Sequence, residues 1–324
     1  MEGLSYQQLW QQLVPLYEVG EARALVRLLM ETQFGISLPD LLCYGTSLLD
    51  EEKQEQLHEM MRRLRDSEPI QYVLGKAMFY GRMFHVEPGV LIPRPETEVL
   101  CRWVMEDTPT QPSPKGREAT STQPRILDIG CGSGCIAITL ALEIEGAQVT
   151  AYDISPKALE VTQHNASTLG AQVTTKQIDI LAAMLPTKDD RTSIESRISR
   201  ESRISRESRI SDITAESKGE SFDIIVSNPP YICRNEAAAM HPNVLRHEPH
   251  EALFVPDADP LCFYSAIARF AKVHLPPGGL LFFECNPVYT QDVAHLLSAS
   301  GFNDVTTHND DFGKTRFVKA INNI

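Results

Sequence analysis

The sequence predicts an α/β fold, a doubly wound and mostly parallel sheet, preceded by a small helical domain. Three observations carry this. From Arg125 onward, short apolar runs alternate with segments of helical length. A glycine-rich loop, Gly130 to Gly134, joins the first of those runs to the first of those helices. Before residue 68, apolar residues recur instead at helical spacing: Leu9, Leu13, Leu16 and Tyr17, then Leu25, Leu28 and Leu29.

In the helical part, Gly35 and Pro39 break the pattern before Leu41 and Leu42. A polar helix over about Asp50 to Arg65 follows and ends near Pro69. Residues 1–76 are thus expected to form a helical domain, for which substrate docking is the expected role. Short aromatic and β-branched pieces around Gly81 and Pro88-Gly89 predict a connecting hairpin over 77–93. Seven strands are expected after that: Arg125–Asp128, Gln148–Asp153, Val173–Ile178, Phe222–Val226, Leu280–Glu284, and two near Asp304–Thr307 and Arg316–Ala320. The helices between them are Cys135–Glu143, Pro156–Leu169 with proline in its first turn, Phe263–His274 and Tyr289–Ser300.

Two insertions interrupt this grammar, at 108–124 and 187–220. The first carries four prolines among Ser, Thr and Gln, the composition of a solvated loop. The second contains Glu-Ser-Arg-Ile-Ser-Arg twice and then Glu-Ser-Arg-Ile-Ser-Asp. Residues 189–212 balance six arginines against six acidic residues and hold no aromatic, so an RNA-binding arm lacks both charge and stacking platforms. A disordered, charge-balanced insertion at the sheet's edge is the expectation.

Composition narrows the function. The net charge of −13, from 30 Lys and Arg against 43 Asp and Glu, disfavours a broad phosphate-binding surface. Seven cysteines scattered over 324 residues do not read as a disulfide framework, and reduced thiols in a cytoplasmic protein are expected. No basic region leads into an apolar stretch at the N-terminus, and no apolar run approaches the ~20 residues of a membrane helix. The expectation is a monomer without membrane or direct nucleic-acid partners.

The most informative stretch is Asn228-Pro229-Pro230-Tyr231, directly after an expected strand. Asn228 offers a carboxamide oxygen, and the prolines stiffen the backbone and leave only carbonyl acceptors. The Asn228 side chain and the Pro229 carbonyl make a rigid acceptor pair for a planar NH2 group, with the Tyr231 ring to pack on it. An ordinary turn is the competing reading. The rest of the rim decides between them. Asp128-Ile129-Gly130-Cys131-Gly132-Ser133-Gly134 lacks the spacing of a dinucleotide fingerprint, because its third glycine comes one residue early. Asp153, nineteen residues beyond Gly134, can accept both hydroxyls of a ribose. Asp179 ends the third strand, either to meet an adenine amine or to close a turn. All four features fall at carboxyl ends of expected strands, where doubly wound sheets bind ligands.

Together these motifs resemble class I S-adenosylmethionine-dependent methyltransferases, and within them the HemK/PrmC family, which methylates the Gly-Gly-Gln glutamine of peptide chain release factors. Glu68–Gly75, Leu91–Glu98, His247–Leu253 and Gly313–Val318 match further segments of that family. Glu284-Cys285-Asn286-Pro287 departs from its usual Gly-containing, Gln-ending pattern. The resemblance implies a methyltransferase domain over 94–324 with a seven-stranded sheet and S-adenosyl-L-methionine as cofactor. It implies that Gly130, Cys131, Gly132, Ser133 and Gly134 cradle the methionine part, that Asp153 holds the ribose, and that Asp179 and Ile180 line the adenine pocket. Asn228 and Pro229 would hold the target carboxamide, with Pro230 and Tyr231 beside it and Asn228 also bordering the cofactor.

Two rival functions use the same motifs. An N6-adenine methyltransferase needs the same acceptor pair, but the acidic charge and the lack of a target-recognition domain weigh against it. A non-catalytic cofactor-binding scaffold would not need the complete tetrapeptide. His241, His247 and His250 match no common zinc spacing, and Cys131 and Cys135 lack a second cysteine pair. Arg94 and Glu98 either border the substrate entrance or tie the domains together, the structural role being favoured.

Overall fold

The structure is a computed structural model that describes residues 3–108, 123–182 and 219–323. The two predicted insertions fall for the most part outside the described residues, and the hexapeptide repeats do so entirely.

The first 74 residues are helical: Tyr6–Gln11, Val19–Phe34, Leu38–Tyr44, Glu51–Arg65 and Ile70–Leu74. Local chemistry sets their ends. Ser5 and Gln8 form a reciprocal capping box, Asp50 accepts from the Lys53 N–H, and Gly35 closes the long helix in the left-handed region. Leu9, Leu13, Tyr17, Leu29 and Leu64 turn into a core of their own. Leu16 and Leu28, also at helical spacing, face solvent at 50% and 44% exposure. The spacing identified helices here, not which of several apolar stripes would be covered.

A hairpin of β1 (Lys76–Phe79) and β2 (Arg82–His85) follows, shorter than the predicted 77–93. Beyond it the chain turns at Pro88-Gly89, where the Val90 N–H donates to the Glu87 carbonyl at 3.2 Å, before reaching Arg94. The Tyr72 hydroxyl donates to the Val90 carbonyl at 2.6 Å, and Tyr72 packs with Ala77, Val86 and Ile92.

The main sheet has seven strands, as the sequence predicted: β3 (Arg125–Ile129), β4 (Gln148–Asp153), β5 (Val173–Gln177), β6 (Ile224–Ser227), β9 (Gly279–Glu284), β10 (Phe302–Asn309) and β11 (Thr315–Asn322). Their order is β10-β11-β9-β6-β3-β4-β5, with β11 antiparallel to both neighbours and the other pairings parallel. The order reverses between β3 and β6, which places the ligand crevice of such a sheet at their carboxyl ends. Both faces are covered, so β6 and β9 are buried along their whole length. One face packs on helix Cys262–His274, the other on helices Pro95–Asp107 and Cys135–Glu143. A second, two-stranded parallel ladder of β7 (Ile232–Cys233) and β8 (Phe254–Val255) has no counterpart in the sequence reading. Two-residue strands leave no periodicity to read, yet this ladder anchors the chain just after Tyr231.

Candidate active site

The crevice forms from the ends of β3, β4, β5 and β6. Gly130, Gly132 and Gly134 all adopt positive φ, at 79°, 55° and 79°. A Cβ on Gly130 would meet nothing within 4 Å, and one on Gly132 only Val90 at 4.0 Å. One on Gly134 would come within 2.9 Å of both Ile138 and Thr162. The first two glycines therefore keep a cradle open, and the third lets the following helix pack.

Behind the loop lies Asp128, fully buried. Its Oδ2 accepts from the Ala137 N–H at 3.1 Å, and its Oδ1 has no partner among the described residues. Burial pushes its pKa up to about 7, opposed by the Ala137 hydrogen bond and aided by Asp153. Asp153 ends β4. Its oxygens take the N–H groups of Gly132 and Ser155, both at 2.9 Å, and burial raises its pKa against those bonds. Asp179 accepts from the Leu181 and Ala182 N–H groups at 3.0 and 3.1 Å through Oδ1, which closes a turn, and it also lines the crevice.

These groups line a cavity of about 420 Å³. Asp153, Asp179 and Glu251 are its charged walls among the described residues, none of which is a Lys, Arg or His at this cavity. Ile178, Ile180, Phe263 and Ile267 supply an apolar side. A pyrophosphate would meet carboxylates among the described residues of this wall. A cationic ligand with an apolar ring finds complementary charge and surface.

A second cavity, of 190 Å³, shares Leu91, Asn228, Pro229 and Ala252 with the first. Its other walls include Arg94, Tyr231 and His241. Asn228 and Pro229 thus stand between two chambers. The Asn228 Nδ2 donates to Thr97 Oγ1 at 3.3 Å, and the Thr97 hydroxyl donates to Glu284 Oε2 at 2.7 Å. Tyr231 donates to Glu284 Oε1 over a long 3.5 Å. Glu284 is 1% exposed. Burial pushes its pKa up to about 7, against the Thr97 hydrogen bond and the Arg316 charge.

Arg94 and Glu98 have separate roles. Arg94 donates to the buried Glu248 at 2.6 Å, and Glu248 also takes the Ile92 N–H, so the pair fastens the segment before helix Pro95–Asp107 to the segment after Pro242–His247 while Arg94 faces the smaller cavity. Glu98 accepts from the Tyr80 N–H and secures the hairpin turn. The ring nitrogens of His241, His247 and His250 bond to Asn243, Asp66 and Leu245. No group of three metal-ligating side chains occurs among the described residues, and all seven cysteines are free thiols.

The PrmC N-terminal domain model matches residues 7–75 and a methyltransferase domain model matches residues 126–196. The release factor glutamine methyltransferase of Bacteroides thetaiotaomicron is 38% identical over 310 residues, spanning 96% of each chain. That of Flavobacterium psychrophilum is 35% identical over 310 residues, spanning 96% of this chain and 95% of its own. The chain belongs to the release factor glutamine methyltransferase family. A third such methyltransferase, from Chlorobaculum tepidum, is 34% identical over 90% of this chain and 88% of its own. The fold is the class I methyltransferase fold, in agreement with the strand order.

Within this release factor glutamine methyltransferase relative, the crevice brings together Gly130, Gly132, Asp153, Asp179, Ile180, Asn228, Pro229 and Pro230. Tyr231 faces the adjoining chamber. Cys131, Ser133 and Gly134 line neither cavity. The Cys131 thiol meets the Thr162 hydroxyl, the Ser133 carbonyl accepts from Asn165, and Gly134 is a packing glycine, so these three support the cradle from behind. The sequence reading missed Asp128's unpartnered oxygen and the Thr97–Glu284 link. It also missed Phe263 and Ile267, whose four-residue spacing on an expected helix was the available signal.

Proposed function

We propose that this protein transfers a methyl group from S-adenosyl-L-methionine to the side-chain amide nitrogen (N5) of the Gly-Gly-Gln glutamine in peptide chain release factors. The observation that carries the reading is the shared wall: Asn228 and Pro229 separate a chamber whose charged walls, among the described residues, are carboxylates from a smaller one sized for a side chain. The residues suit the cofactor. An open glycine cradle accepts its backbone-like part, Asp153 its ribose and the isoleucines and Phe263 its adenine. Asp179 would accept from the adenine amine. The carboxylates, including Asp128 behind the loop, favour a cationic ligand. When bound, the cofactor supplies an activated methyl electrophile.

The chain's own residues position the acceptor. A carboxamide nitrogen is a weak nucleophile because its lone pair is delocalised into the carbonyl. Asn228 Oδ1 and the Pro229 carbonyl would each take one N–H and turn the nitrogen towards the methyl carbon, with Tyr231 packed beside the amide. Orientation of this kind is worth several kcal/mol of barrier. As the N–C bond forms and the methyl group parts from its donor, the amide nitrogen becomes strongly acidic and would give one of its two protons to water, so no dedicated base is required. Leu91 and Ala252 line both chambers and limit water at the junction.

The helical N-terminal part would dock the protein substrate, the molecule would act as a monomer in the cytoplasm, and no nucleic acid is involved. Support for a cytoplasmic site comes from the free thiols and from the bacterial relatives; no helix among the described residues is long and apolar enough to cross a membrane. Asn228→Ala removes one acceptor. Turnover should fall by at least ~100-fold, the scale for loss of one preorganised group, with cofactor affinity nearly unchanged. A labelled-cofactor assay offering release factor, DNA or neither checks this. Label on DNA would favour the adenine reading, and no label on either the scaffold reading.

A further inference from the structure

Glu284 is a buried carboxylate that the transfer chemistry above does not use. It ends β9, and in the parallel register with β6 it lies level with Asn228, one residue beyond the paired Ser227 and Phe283. Between them stands Thr97, in the first turn of helix Pro95–Asp107 and 2% exposed. We propose that Glu284 is the positioning residue of the amide grip: acting through the Thr97 hydroxyl, it holds Asn228 with Oδ1 turned to the substrate amine. This rests on the function proposed for Asn228.

The argument is a count of protons. Thr97 has one hydroxyl proton and gives it to Glu284 Oε2 at 2.7 Å. It then faces Asn228 only as an acceptor, so the NH2 side of Asn228 must point at it, as the 3.3 Å contact from Nδ2 records. A flipped amide would set two acceptor oxygens against each other and offer the substrate NH2 a donor in place of an acceptor. With Glu284 ionised, the direction of the chain is fixed. With Glu284 protonated, its own proton can go to Thr97, the Thr97 proton is released, and either orientation of Asn228 is satisfied.

The groups facing Glu284 come from every element packed on it: Glu96 and Cys101 of the Thr97 helix, Arg316 of β11, Tyr231, Tyr264 of helix Cys262–His274, Cys135, and neighbouring Cys285. Burial drives Tyr231, Tyr264, Cys101 and Cys285 far above neutrality and Cys135 to about 12. Glu284 is brought to about 7. Asp128 is brought there too, but sits behind the cofactor chamber, where its charge acts on cofactor binding.

The test is kcat at saturating cofactor and release factor from pH 6 to 9, with cofactor affinity by calorimetry as a check on folding. Wild type should gain kcat as pH rises through about 7. Glu284→Gln keeps the shape but not the charge. Its kcat should drop about tenfold, the loss expected for one charge-assisted hydrogen bond, with KM within about twofold and no limb near neutrality. Thr97→Val should behave alike, and Thr97→Ser should restore most of what Thr97→Val loses. A Glu284→Gln enzyme with wild-type kcat and an unchanged limb, beside an inactive Asn228→Ala, overturns this role and leaves the proposed function standing. An active Asn228→Ala removes the function first. If Glu284→Gln binds no cofactor, the Thr97 pair decides: equal kcat for Thr97→Val and wild type overturns the role.

Discussion

The two buried carboxylates, Asp128 and Glu284, are the residues in which fold and function meet. Each is held by one strand's carboxyl end, and each has its pKa raised to about 7 by burial. The sign of the consequence follows. Between about pH 4 and 7 the folded protein holds a proton on Asp128 that the unfolded chain has released, so stability declines as pH rises through that window. Asp128→Asn should remove that part of the slope, roughly 4 kcal/mol between pH 4 and 8, in denaturant unfolding of cofactor-free protein. A cation in the chamber favours the ionised form, so cofactor affinity should weaken below pH 7 in wild type and less steeply in Asp128→Asn, where Asp153, also raised by burial, still titrates. Neither carboxylate's environment was legible in the sequence. Asp128 read as part of a loop motif, and Glu284 as the end of a strand in a variant segment. The partner that matters, Thr97, lies 187 residues from Glu284. No local pattern couples positions that far apart.

Among the elements, the glycine loop and the wall strands do the positioning. Spacing alone identified the loop but could not sort its members, because whether a glycine serves a ligand or a helix depends on what lies beyond its missing Cβ. Gly134→Ala would push a methyl to 2.9 Å from Ile138 and Thr162 at a positive φ. A loss of roughly 1–3 kcal/mol in stability is expected by chemical denaturation. Gly130→Ala pays the backbone strain without the clash and should chiefly lower cofactor affinity. Arg94 fastens the extended stretch after β2 to the stretch around Glu248. Arg94→Ala strands a carboxylate whose side chain is 1% exposed and should cost about 3 kcal/mol. The predicted strands and helices match the observed ones to within one or two residues at most ends. The β7–β8 ladder was out of reach because tertiary contact, and not local preference, creates strands so short.

At the scale of the molecule, the switch in strand order between β3 and β6 gathers residues from four separate stretches onto one rim. Those stretches were legible because each ended an apolar run. Their sharing of two adjoining chambers was not, since chamber shape comes from loops that cross the rim, such as 86–94 and 248–252. The acidic overall charge and the small second chamber favour the proposed protein side chain as acceptor over a nucleic acid. The most direct test is mass spectrometry of a release factor incubated with this protein and labelled S-adenosyl-L-methionine. One methyl group should appear on the Gly-Gly-Gln glutamine, at an initial rate lower by at least ~100-fold with Asn228→Ala. Methyl transfer to another residue, or an undiminished signal from Asn228→Ala, would contradict the account.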